Sequence, residues 1–226
     1  VPYGANVQRD PRQDALARWD LTPRRYLLYV GRLVPENAAD FLIRAFRQVR
    51  TDMKLVIVGD APFAEDFKQR LRAAADPRVV FPGYAFGETY AQLSSHAYLY
   101  VQPSGVDGTR PALLDQLGFG NAVLVRNSPA NLEVIGDFGC AFEAQGREPA
   151  LAARLQQLLA NPAQVQQFRD RATRRIADFY NWEWIADFYV DLFTRLRRHQ
   201  PLLQYEEFLH ASRPAGATAT PAVAAR

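Results

Sequence analysis

"AYLYVQPSGVDGTRPALLDQLGFGNAVLVR", residues 97–126, decides how this chain folds. An apolar run, Ala97 to Gln102, enters a turn holding two glycines, a carboxylate and an arginine; a second apolar run, Asn121 to Arg126, leaves. Both runs are hydrophobic at nearly every position rather than at alternate ones, which marks strands buried on both faces of a parallel sheet. The segment between them predicts a helix starting near Thr109, with Thr109 as its cap. Pro111 fits the first turn, where a missing N–H costs nothing.

Outward from this unit the pattern repeats. Strands are predicted at "YLLYVG" (26–31), "KLVIVG" (54–59), "RVVFPG" (78–83) and "GCAFE" (139–143). Helical spacing fills the gaps: Phe41, Leu42, Ala45, Phe46 and Val49 lie on one face of "ADFLIRAFRQV", and "FAEDFKQRLRAA" and "YAQLSSH" follow. Strands alternating with helices predict an α/β fold, a doubly wound parallel sheet of Rossmann type. After Glu143 only helices are expected, over 148–162, 163–179 and 181–199. The final "ASRPAGATATPAVAAR" has little to bury and reads as a disordered tail.

The bulk properties exclude several classes. A net charge of +3 over 226 residues is no field for nucleic acid. Basic residues gather at 169–175 and 195–199, read as a solvated helix face or as a weak contact with an anionic membrane surface. Cys140 is the single cysteine, so no internal disulfide can form, and its apolar surroundings predict a buried thiol. The three histidines are scattered, so no metal site is expected. No apolar run reaches the roughly 20 residues of a membrane span. A response-regulator-like domain would need an acidic cluster by its first strand, which this sequence lacks.

Ligands of open parallel sheets bind beyond the carboxyl ends of the strands. Those ends carry Gly31-Arg32, Gly59-Asp60, Gly83-Tyr84, residues 103–110 and Arg126-Asn127. Gly105 and Gly108 permit close backbone approach, the helix start offers free N–H groups, and Arg110 adds a planar donor fork: a seat for phosphate. Asp115, one turn into the helix, can accept hydrogen bonds from two neighbouring hydroxyls, as on a ribose. Asp107 would face a group on the far side of the phosphates, such as a sugar. The plainer readings are a turn residue at Asp107 and a solvated acid at Asp115. Arg32 can reach the same phosphates or pair with Glu36; Asn37 reads as a helix cap or a polar contact; Asp60 as a ligand contact or a turn residue.

"YVGRLVPENAADFLIRAF", "KLVIVGDAP", "VVFPGY", "PSGVDGTRPALLDQLGFGNAVLV" and "NWEWIADFYVDLF" together resemble group 1 (family 4) glycosyltransferases, in their carboxyl-terminal, donor-binding half. The likeness is to a rhamnosyltransferase-like variant of polysaccharide assembly and covers roughly residues 1–195. It implies a single half of the GT-B fold: a linker and first helix over 1–21, a nucleotide-sugar domain over 22–180, terminal helices over 181–210 and the tail over 211–226. It implies transfer of a sugar from a nucleotide diphosphate to an acceptor hydroxyl, sugar- or lipid-linked, with no obligatory cofactor. Asp115 would hold the ribose, Asp107 the transferred sugar, and Gly83, Tyr84 and Ala85 would flank the base. Gly31, Arg32, Asn37, Gly108, Thr109 and Arg110 would line the phosphates, with Arg32 and Asp107 the catalytic pair. The family's two glutamates are aspartates here, and its lysine near Asn37 is missing. An amino-terminal half, in the same chain or another, is the implied partner, in the cytoplasm or at a membrane surface. The alternative is a non-catalytic nucleotide-sugar-binding module.

Overall fold

The structure, a computed structural model, describes residues 3–105, 108, 110–143, 145 and 147–212. The six expected strands form: β1 (Tyr26–Val30), β2 (Lys54–Val58), β3 (Val79–Gly83), β4 (Leu99–Gln102), β5 (Ala122–Arg126) and β6 (Cys140–Phe142). All pair in parallel, in the order β3-β2-β1-β4-β5-β6. The helices are α1 (Ala39–Phe46), α2 (Glu65–Ala74), α3 (Gly87–Ser95), α4 (Pro111–Gly118), α5 (Pro129–Ile135), α6 (Arg147–Ala160), α7 (Pro162–Arg175), α8 (Trp182–Arg197) and α9 (Tyr205–Ser212).

Strand pleating sends alternate residues to opposite faces, and both faces are covered. Leu27, Tyr29, Leu55, Ile57, Leu99, Val101 and Leu124 meet α1, α2 and α6. Tyr26, Leu28, Val56, Val58, Tyr100, Val123 and Val125 meet α3, α4, α5 and α7. This is why the strands read as continuous apolar runs. Each fully buried aliphatic side chain contributes roughly 1.5–3 kcal/mol by removal from water. Cys140 is one of these buried residues; its thiol donates to the Val123 carbonyl, and burial pushes its pKa up to about 11.

The carboxyl edge of the sheet is stitched sideways by main chain. Gly31 N–H donates to Val58 O at 3.0 Å, and Gly59 N–H to Gly83 O at 2.8 Å. Gly59 has φ of 134°, and a Cβ there would stand 1.9 Å from the Gly31 carbonyl oxygen. Asp60, next along, accepts from Ala61 N–H and pairs with the buried Lys68 ammonium at 2.7 Å. That pairing holds its carboxyl below the ordinary 3.8.

Four elements differ from expectation. Helix α4 starts at Pro111, not at Thr109, because a residue before proline is pushed out of the α region; Arg110 sits there with ψ of 112° and no side-chain cap. Helix α5, unforeseen, is capped by Ser128, whose hydroxyl accepts from Asn131 N–H. The long helix expected over 163–179 is α-helical to Arg175 and continues as one π turn, Ile176–Tyr180. The tail expected from 211 onward begins inside α9, which runs to Ser212, and its remainder lies outside the described residues.

Gly59→Ala should cost about 3 kcal/mol or more, since it combines backbone strain with overlap against fixed main chain. Gly83→Ala, at φ of 77° with nothing within 4 Å, should cost only the left-handed strain, about 1–2 kcal/mol. Urea unfolding of the two variants beside the parent reads both values.

Candidate functional site

The strand order reverses between β1 and β4, so the loops leaving them diverge and open a crevice. A cavity of about 670 Å3 lies there; Gly31, Arg32, Asn37, Phe63, Gln102, Gly108, Arg110 and Pro111 are among its walls. Five of the site residues read from sequence therefore meet: Gly31, Arg32, Asn37, Gly108 and Arg110. Gly31 passes so close to the Tyr29 hydroxyl that a Cβ would stand 2.8 Å from it.

Arg110 organises this crevice. Its Nη1 donates to Asn37 Oδ1 at 3.1 Å and its Nη2 to Ser104 Oγ at 2.7 Å. Ser104 Oγ in turn donates to the Glu36 carbonyl at 2.8 Å, and Asn37 Nδ2 donates to the Arg32 carbonyl at 2.9 Å. Asn131 Nδ2 donates to the Ser104 and Arg126 carbonyls, each at 2.9 Å. The loops after β1, β4 and β5 are thus one hydrogen-bonded unit. Arg110 Nε is buried without a partner among the described residues. Asn37 is not a helix cap: the cap position of α1 is Ala38, and the Asn37 amide is spent on Arg32 and Arg110.

Arg32 is exposed on the cavity wall, and its side chain forms no ion pair with Glu36. Arg32 and the first turn of α4, with Pro111 and Ala112, line the same space. Two arginines and a helix start, against one lining carboxylate, Glu36, make a cavity suited to an anion. No three His, Cys, Asp or Glu residues converge among the described residues.

Asp115 lies one turn further along α4 and outside that wall. It is half-buried, and the Tyr90 hydroxyl donates to its Oδ2 at 3.3 Å. Tyr90 is fixed from behind by Gln116 Nε2, which also donates to Ser94 Oγ. Burial raises the Asp115 pKa above the ordinary 3.8, and the Tyr90 bond offsets part of that rise. Gly83 lines a smaller neighbouring cavity of about 140 Å3 with Gly59 and Asp60. Tyr84 is exposed and stacks on Phe86 at 5.7 Å between centroids, while Ala85 packs against the core. Asp107 and Thr109 lie outside the described residues.

The family model for glycosyl transferases group 1 matches residues 24–161, more than half the chain. The chain belongs to the group 1 glycosyltransferases. An uncharacterized glycosyltransferase of Methanocaldococcus jannaschii is 25% identical over 175 residues, 75% of this chain and 44% of that protein. The O-antigen chain mannosyltransferase B of Escherichia coli is 25% identical over 188 residues, 78% of this chain and 48% of that protein. Among solved structures, sucrose-phosphate synthase from Thermosynechococcus elongatus superposes with a TM-score of 0.75 at 25% identity, covering 88% of this chain and 53% of that one. Anabaena HepE, solved with UDP and glucose, gives 0.74 at 16% identity, covering 83% and 53%. This glycosyltransferase chain spans about half the length of the curated relatives it matches.

Within the glycosyltransferase crevice, Ser104, Gln102, Asn131, Phe63 and Tyr90 were not read from sequence. Gln102 and Ser104 carried a signal, being polar residues that end an otherwise apolar strand. Asn131, Phe63 and Tyr90 carried none, because their roles depend on contacts across the fold. Arg110→Met and Asn37→Ala should be coupled in a double-mutant cycle by about 0.5–1.5 kcal/mol, read by urea unfolding.

Proposed function

We propose that this chain is the donor-binding half of a glycosyltransferase that moves a sugar from a nucleoside diphosphate to an acceptor hydroxyl. One observation carries the reading: Arg32 and the first turn of α4 line one cavity at the β1–β4 switch point. There the diphosphate oxygens would meet Arg32 and the α4 N–H groups. The helix dipole is fixed before the ligand arrives, so it stabilises charge without reorganising, and Arg32 adds a positive charge from the neighbouring loop.

In the transfer, the bond from the anomeric carbon to the phosphate oxygen breaks, and its electron pair stays on the leaving diphosphate. Arg32 and the α4 start take up that added negative charge. The acceptor oxygen bonds to the anomeric carbon, and its proton passes to the leaving diphosphate. Asp115 is assigned to the ribose hydroxyls, held in place by Tyr90. Asp107 is assigned to the sugar, by resemblance. Gly83, Tyr84 and Ala85, at the end of β3, are assigned to the base. Arg110, already bonded to Asn37 and Ser104, acts here by holding the crevice in shape and adding charge. A hexosyl-type donor and a role in polysaccharide assembly are supported by the likeness to the E. coli O-antigen chain mannosyltransferase; a rhamnosyl donor rests on the sequence resemblance alone.

The acceptor side is assigned to a second α/β half preceding Val1 or supplied in trans. The relatives are about twice as long. The opening segment runs across α4, with Gln8 N–H donating to Gly118 O, and meets the start of α8, where Trp182 covers Gly4. From there Trp182, Tyr189, Val190, Phe193 and Leu196 form an exposed apolar stripe along α8. No helix of the described residues is long and apolar enough to cross a membrane; a cytoplasmic, at most peripheral, setting is proposed.

Calorimetric titration with UDP, dTDP and GDP should show one of them binding. Arg32→Ala should weaken it by about 1–3 kcal/mol, the scale of charge-assisted hydrogen bonds. Asp115→Asn should weaken the nucleotide by about 1 kcal/mol or more but leave inorganic pyrophosphate unchanged. Three silent titrations sink the reading; binding without turnover, even beside the other half, leaves a non-catalytic module.

Asp115 has a pKa raised in the fold, so its ionised form costs stability above that pKa, and the cost disappears as pH falls below 3.8. Asp115→Asn should therefore raise the Tm at neutral pH, measured by calorimetric melting, while weakening nucleotide. For the parent, nucleotide affinity should begin to fall on acidification at a pH above 3.8.

A further inference from the structure

Gln102, the last residue of β4, is a polar side chain that the fold all but encloses: it is 3% exposed, and it lines the β1–β4 crevice. Its Oε1 accepts from the hydroxyl of the fully buried Tyr100 at 2.7 Å. Two residues apart on one strand, the side chains share a sheet face, the one that α4 covers. Hydrogen-bond logic fixes which end of the amide meets the hydroxyl. Reversed, the amide would leave the enclosed Tyr100 O–H with no acceptor among the described residues, which costs a buried bond. The oxygen therefore holds the tyrosine, and the nitrogen keeps two hydrogens to give. That nitrogen donates to no described residue. Nor is it sealed away without a partner, a state found among the described residues only at Arg110 Nε and Arg154 Nε. It is open to the crevice that Gln102 lines.

A nearly enclosed donor calls for an acceptor, since desolvating it unpaired is costly. The same wall carries Arg32, Arg110 and the first turn of α4, so the acceptor that fits the whole wall is an anionic oxygen. We infer that Gln102 Nε2 donates to an oxygen of a diphosphate seated at the start of α4, with Tyr100 the positioning residue that aims the amide. The inference adds a residue to the donor site proposed above and rests on that reading. An amide held by a strand at one end and by a buried hydroxyl at the other has little side-chain freedom left to lose on binding. The exposed Arg32 has more to lose. Arg32 thus supplies charge, and Gln102 supplies a donor of fixed direction.

The test is calorimetric titration of the full chain with inorganic pyrophosphate, and with UDP, dTDP and GDP beside it. Gln102→Leu removes the donor and should weaken pyrophosphate about tenfold or more. It also strands the Tyr100 hydroxyl. Tyr100→Phe together with Gln102→Leu removes both partners, keeps the fold should the single variant lose it, and should show the same loss. Gln102→Glu preserves an acceptor for Tyr100 but turns a carboxylate on the phosphates. Its affinity, divided by the parent's at each pH to cancel the ligand's own protonation, should rise as pH falls, because a protonated carboxyl regains a donor. Tyr100→Phe alone should cost about threefold, and nothing further once residue 102 is leucine. Pyrophosphate binding unmoved in a folded leucine variant overturns the assignment, as does a ratio for Gln102→Glu that is flat with pH. Additive losses at 100 and 102 overturn the positioning role of Tyr100. A parent that binds a nucleotide but ignores pyrophosphate overturns the phosphate contact and leaves the donor-site reading standing. Silence of every diphosphate ends both.

Discussion

Arg110 holds together two loops that the sheet would otherwise spread apart. At the switch point β1 and β4 are neighbours, yet their chains leave toward opposite faces. The crevice between them is a consequence of topology, and nothing in topology fixes its width. The guanidinium does so, with one nitrogen on Asn37 and another on Ser104. Asn37 then fixes the Arg32 carbonyl, and Asn131 fixes Ser104 from the β5 side. Arg32 consequently projects from a braced loop. A lysine at 110 would keep the charge but could not span two acceptors with a rigid fork. Pro111 contributes from the other direction, because it keeps Arg110 extended and thereby outside the helix it precedes.

Asp115 illustrates a second constraint, the conflict between stability and binding. A half-buried carboxylate is costly, and the fold answers it with a single neutral donor, Tyr90, rather than a cation. A cation there would satisfy the charge and occupy its lone pairs. The neutral partner leaves oxygen positions free for a ligand's hydroxyls, at the expense of a raised pKa. Asp60 shows the opposite arrangement: Lys68 and the Ala61 N–H both bond its Oδ1 and lower its pKa. The two acids at the edge of one sheet are thus held differently, Asp60 by a cation and Asp115 by a neutral hydroxyl.

The strands were legible because burial on both faces erases alternation, leaving runs such as "KLVIV" that hardly fit another element. The crevice was legible in outline, since Gly31, Arg32, Gly108 and Arg110 all follow strands in the sequence. What escaped was partner choice. Arg110 reads as a phosphate ligand in one dimension; in the fold it also braces the crevice, with one donor on Asn37 and one on Ser104, 73 and 6 residues away. Asn37 looks like a cap because it precedes a helix, but a left-handed Ala38 intervenes. Helix α5 was missed because seven residues give too little periodicity, although Ser128-Pro129 is a sound start signal. The π turn after α7 had no sequence mark; it falls where Arg175 is drawn to the carbonyls of Glu133 and Val134.

The apolar surface of this domain is unevenly distributed in a way that separates folding from function. Both faces of the sheet are closed by the chain's own helices, so the core needs nothing from outside. Yet Tyr3, Trp182, Tyr189, Val190, Phe193 and Leu196 remain exposed where the opening segment meets α8. Scattered apolar residues on a surface need no explanation, whereas a continuous stripe does. Its position relates it to the linker rather than to the core. The bonds that shape the crevice, from Arg110 to Asn131, all lie within this domain. The crevice requires the sheet, whereas the exposed residues of α8 take part in neither.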